Sequence, residues 1–168
     1  MSSIDPPPSP AAPGTPGPRH SSGIEWGSVL RGAMVGLCAL VVASVVEAIL
    51  DRNMDNFKDS GWIYPLFVVV LVGYALSGYV TGRAVPDSPL TNGTLAGLFA
   101  FVLWIPVRIV IWLARDERKG LFTGHSPAIR PGQLLGHVVI AAGFGLLGGW
   151  LGGWLGGRAV RRARAGGS

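Results

Sequence analysis

A chain of 168 residues that is 49% hydrophobic and only 14% charged, with a mean hydropathy of +0.44, has too few charges to cover a water-soluble domain. Its net charge of +5 and pI near 10.1 raise nucleic acid as a partner, but the arginines flank apolar segments and no basic-and-aromatic face accompanies them, so that class is excluded. The single cysteine, Cys38, rules out an internal disulfide and a cysteine-based metal cluster.

In chain order, residues 1–21 come first and hold seven prolines, at positions 6, 7, 8, 10, 13, 16 and 18, with almost nothing to bury. They predict a disordered, locally polyproline-like tail. A cleaved signal peptide is not expected, because the first apolar run follows this stretch rather than a short basic start. A membrane domain is predicted over 22–160, with spans at about 26–50, 62–82, 90–114 and 133–157. Ser22-Gly23-Ile24-Glu25 fits a capping box, which starts the first helix there and sets Trp26 at the interface. Val29 to Leu50 is long enough to cross a hydrocarbon layer of about 30 Å at about 1.5 Å per residue, with Arg31 snorkelling outward.

The polar segment DRNMDNFKDS, 51–60, reads as a loop in water. Trp62 and Tyr64 then form an interfacial belt, Pro65 suits a first helical turn, and a charge-free run reaches Gly82. The short connection 84–88 forces the third span to lie antiparallel to the second, with Ser88 and Pro89 as cap and first helical residue. Pro106 and Arg108 interrupt that third span. A loop over 115–130 follows, whose Leu121 and Phe122 are expected at the bilayer surface, and Pro131 opens the fourth span, which carries His137. Residues 161–168 form a basic tail that, with Arg158, suits an anionic cytoplasmic leaflet. Twelve arginines against two lysines, with many Ala, Gly and Pro, match the residue usage of a GC-rich bacterial genome.

The organising stretch is GFGLLGGWLGGWLGG, 143–157, where Gly145, Gly149, Gly153 and Gly157 make one helical row and Gly148, Gly152 and Gly156 its neighbour. In water each helical glycine costs about 1 kcal/mol against alanine. In lipid an unpaired backbone group costs far more, so the helix is enforced and glycine lets a second backbone approach. Gly32, Gly36, Gly78, Gly82, Gly93 and Gly97 extend the same packing role to the other spans.

The segments also resemble one another. Spans one and three share GxxxGLxA, from Gly32 and from Gly93, and spans two and four share GxxxGRAV, from Gly78 and from Gly153. Two matches in order predict tandem helical hairpins, and an even number of spans puts both chain ends on one side. Basic residues nearly tie between the two sides. Those on the terminal side lie closer to span ends and the opposite loops carry more acid, so both termini are expected in the cytoplasm.

Glu47 and Arg108 each lie fifteen residues beyond the first glycine of the shared motif, hence at similar depth, each on the face of its helix that carries the small residues. An unpaired charge inside a membrane costs at least about 2.5 to 3.5 kcal/mol, which favours an ion pair between them. Two other readings stay open: both side chains snorkelling to one interface, and Glu47 as a proton or cation site. His20, His125 and His137 show no metal-ligand spacing, and no nucleophile triad, phosphate loop or paired carboxylate site emerges. No enzyme, cofactor or metal is expected.

Four short spans, the glycine motifs of spans one and three, and SPLTNGTLAGL opening the third resemble the small bacterial membrane proteins of the YrzE type, over about residues 26–160. That resemblance implies a four-span integral membrane protein and supplies no activity or functional residues. Small multidrug exporters also have four helices with an acid in the first, but there it lies near mid-span, whereas Glu47 is close to the end. The expected protein is an all-α membrane four-helix bundle, non-enzymatic, in the cell membrane. Its glycine seams are expected to pack its own helices and to offer contact to a second copy, and its expected partners are the lipid bilayer and a second copy or other membrane proteins. The alternative is a small transporter or channel using Glu47.

Overall fold

The computed structural model describes residues 23–54, 57–114 and 131–165. Every regular element among them is helical: α1 (Trp26–Asn53), a 3-10 turn (Phe57–Asp59), α2 (Ile63–Ala84), α3 (Pro89–Ala114) and α4 (Pro131–Ala165). All four α-helices are long and apolar enough to cross a membrane, and they pack as a bundle. The tail 1–22 and the 115–130 loop with Leu121 and Phe122 lie outside the described residues.

Three boundaries differ from expectation. α1 runs three residues past Leu50, to Asn53, where the Asn53 side-chain amide donates to Ile49 O at 2.8 Å. α4 continues through 161–165, so the basic segment extends the last span as helix instead of leaving it as a separate tail. At the start of α1, Glu25 occupies the cap position with no side-chain cap bond, three residues later than a box built on Ser22 requires. The reason is tertiary: the Glu25 backbone N–H donates to Asn92 Oδ1 of α3 at 2.9 Å, so a distant side chain supplies the acceptor that a local cap was expected to give. Pro106 stands inside α3 without ending it.

Asn92 is fully buried, and its amide also donates to Ser88 O at 2.9 Å and Ser88 Oγ at 2.8 Å. Replacing it with Leu leaves the Glu25 N–H without its partner. Asn92→Leu is therefore expected to lower stability by about 1 to 3 kcal/mol, read as a lower melting temperature in mild detergent. A melting temperature equal to that of the parent chain refutes the tie.

α2 and α3 form the short diagonal of the bundle and each packs on all three other helices, while α1 and α4 stand at the flanks. The hairpins α1–α2 and α3–α4 thus lie side by side, α1 against α3 and α2 against α4. A two-fold axis along the bundle would instead set each helix diagonally across from its counterpart. The interior is built from small and medium side chains, with Ala33, Leu40, Tyr74, Ala100, Phe101 and Ala141 at its centre. Thr81 adds a polar tie, its hydroxyl lying 3.0 Å from Ser77 O in its own helix and 3.2 Å from Ser28 O in α1.

Candidate functional site

The glycine rows of α4 sit where three helices meet. A Cβ added at Gly93 would lie 2.7 Å from Gly149 Cα and 2.8 Å from Gly145 O, and one at Gly97 would lie 3.2 Å from Gly145 Cα. From the other side, a Cβ at Gly78 would lie 2.9 Å from Gly149 N, and one at Gly82 2.7 Å from Gly149 Cα. Gly153 continues this row against the Pro89 ring, and Gly157 at its end is half-buried. The neighbouring row lies on α2, where Gly148 and Gly152 leave room for the backbone of Ala75, Tyr79 and Arg83, and Gly156 for Arg83. Most of these close neighbours are backbone atoms, which have no rotamer to give way, so any side chain there forces the helices apart.

In the first hairpin Gly32 and Gly36 make the same kind of approach, to Ser77, Thr81 and Gly73 of α2 and to Ala96 and Ala100 of α3. The row Gly73, Ser77, Thr81 therefore receives α1 as Ala141, Gly145, Gly149 receives α3. By the shared GxxxGRAV motif Ser77 corresponds to Gly152, but by packing it corresponds to Gly145, two helical turns away. The motif match thus does not give the register in which the hairpins close.

Large apolar side chains occupy the opposite, outward positions: Val42, Val68, Val102 and Val139 are each more than half exposed. Small residues inside and branched ones outside suit a lipid surround, where association depends on close contact rather than on hiding apolar area. The chain is a multi-pass integral membrane protein.

The charged residues come together as well. Arg108 Nη1 donates to Glu47 Oε2 at 2.9 Å and Nη2 to Oε1 at 3.3 Å, a two-pronged ion pair joining α3 to α1. It lies toward the side of the bundle away from the chain ends. The pair is half-buried, with the Arg108 side chain 23% and the Glu47 side chain 40% exposed, so its surroundings screen it in part. One turn earlier on α3, Trp104 extends the contact: its indole N–H donates to Ser44 Oγ of α1 at 2.8 Å, and the Arg108 guanidinium carbon lies 5.9 Å from its ring centroid.

His137 of α4 stacks on the Trp104 ring at 5.2 Å and 8°, and on Phe101 at 6.1 Å. Its Nδ1 lies 2.9 Å from Gln133 O; a carbonyl only accepts, so Nδ1 carries the proton there. One cluster thereby joins α1, α3 and α4. The sequence pointed to the pairing of Glu47 with Arg108 but not to Ser44 or His137. Ser44 shares a helical face with Glu47, three residues on, a spacing that marks it as a neighbour. For His137 no such signal exists, since its partners lie on another helix.

Ser44→Ala leaves the Trp104 N–H without its acceptor and is expected to cost about 1 kcal/mol. In a double-mutant cycle with Trp104→Phe, the two losses should fall short of additive in thermal melts; full additivity rejects the bond.

Comparison of the chain with family models, with characterised proteins and with solved structures returns no match. Among the described residues, no group of three His, Cys, Asp or Glu converges on one point.

Proposed function

We propose that this is a non-enzymatic structural or accessory protein of the cell membrane, with both termini in the cytoplasm. Its work is to present a tightly closed bundle to lipid and to other membrane proteins. The observation that carries this reading is the fork between Arg108 and Glu47, which commits the carboxylate to holding α1 against α3. The glycine seams support it: their rows, expected to pack the chain's own helices and a second copy, are filled by the chain's own helices. Partner contact therefore falls to the outward Leu, Val and Trp faces. Membership of the YrzE type belongs to the same proposal and rests on residues 26–160 alone.

The competing transporter reading requires Glu47 to release its arginine during a cycle. Reconstitution in liposomes separates the two. The expected result is proton and monovalent-cation flux no greater than in empty vesicles, for the parent chain and for Glu47→Gln alike. Flux in the parent chain that Glu47→Gln abolishes overturns the proposal.

A further inference from the structure

α4 is a single helix of 35 residues, about 50 Å long at about 1.5 Å per residue, against a hydrocarbon layer of about 30 Å. Its inner face is spent on the glycine rows. On the opposite face one stripe follows the i, i+3, i+4 spacing: Trp150, Leu151, Trp154 and Arg158, with Arg161 and Arg162 at the next register positions as the helix continues to Ala165. Trp150 is 53% exposed and Trp154 44%, and their rings stack at 6.5 Å and 19°. The Arg158 guanidinium carbon lies 3.4 Å from the Trp154 ring centroid, so the arginine is held on the aromatic surface. No Asp or Glu occurs after Glu117, and among the described residues no carboxylate pairs with Arg158.

We propose that this stripe is a binding site for an anionic phospholipid of the leaflet facing the chain ends. An acyl chain lies along Leu151, the glycerol region rests on the stacked Trp150 and Trp154, and the phosphodiester meets Arg158. The order is that of the lipid itself, apolar, then amphipathic, then cationic, along a rigid rod. Holding Arg158 on Trp154 before the lipid arrives lowers the ordering cost of binding. The charges of positive-inside topology need only be near the membrane. This stripe adds a geometry, so a neutral change can damage it. The inference rests on the membrane placement above and not on the accessory role.

The test is native mass spectrometry of the full chain, released from mild detergent after exposure to equimolar phosphatidylglycerol and phosphatidylcholine. The parent chain should retain the anionic lipid preferentially, and Arg158→Gln should lower that preference about fivefold, the effect of one arginine near an anionic surface. Trp154→Leu, which changes no charge, should lower it about threefold by releasing Arg158. Arg31→Gln with Arg52→Gln, charges off the stripe, should leave it unchanged. Equal retention of the two lipids by the parent chain overturns the proposal, as does an unaffected Trp154→Leu variant, which reduces the effect to net charge. Displacement of the lipid by millimolar inorganic phosphate also overturns it, since the site then takes a free anion. Retention of every variant in the membrane fraction after alkaline carbonate washing keeps failure of the site distinct from failure of membrane insertion.

Discussion

Gly149→Val is expected to prevent recovery of the folded bundle, while Gly143→Val, on the same helix, should leave it intact. Gly149 is the point to which Gly78 and Gly82 of α2 and Gly93 of α3 all come close, and its own added Cβ would meet Pro89 O and lie 3.1 Å from Gly93 Cα. A branched side chain there meets the α3 backbone at both Pro89 and Gly93 and cannot rotate away from it, so α4 must leave α3. Gly143 has nothing within 4 Å of an added Cβ, so valine there gains β-branching and little else. Overpacking of this kind costs about 3 kcal/mol or more at Gly149 and under about 1 kcal/mol at Gly143. The measurement is the fraction eluting as a single symmetric species from size exclusion in mild detergent. Equal recovery of the two variants shows that the seam does not hold the bundle.

Exchange of charge across α1 and α3 is the second large effect. Glu47→Arg sets two guanidinium groups face to face, Arg108→Glu sets two carboxylates, and each should lower stability by about 2 kcal/mol, because partial exposure screens a penalty that is larger at the bilayer centre. The double exchange restores an opposite-charge pair, with the two side-chain lengths traded between helices. It should recover most of the loss in melting temperature. A double variant no more stable than the worse single one removes the pair from the account of stability. Glu47→Gln is a poorer probe of this point, since a neutral amide can still accept from Arg108.

The four spans were legible because nothing but length and apolarity is needed to mark a helix in lipid, and Trp26, Pro89 and Pro131 stood close to their ends. The Glu47 and Arg108 contact was legible for a related reason: two charges at the same offset from matching glycine motifs have few other places to go. Register within the hairpins was not. Small residues recur at four-residue spacing along most of α2 and α4, so a shift of two turns still sets small against small, and local sequence does not rank the choices. Tertiary contacts rank them, such as Pro89 against Gly153 and Thr81 against Ser28. The start of α1 failed in the same way, because its first free N–H found Asn92 on another helix. His137 was weighed only as a metal ligand, whereas its place is on the flat of the Trp104 ring.

The flank position of α4 bears on how the bundle closes. It is the richest of the four helices in glycine, after proline the residue least inclined to helicity, and it supplies the backbone surface on which α2 and α3 both settle. Without α4 the other three helices keep their own contacts but have no floor beneath Gly78, Gly82, Gly93 and Gly97. A bundle from which α4 has come away is therefore open along one side, with the backbones of α2 and α3 bared at those four glycines.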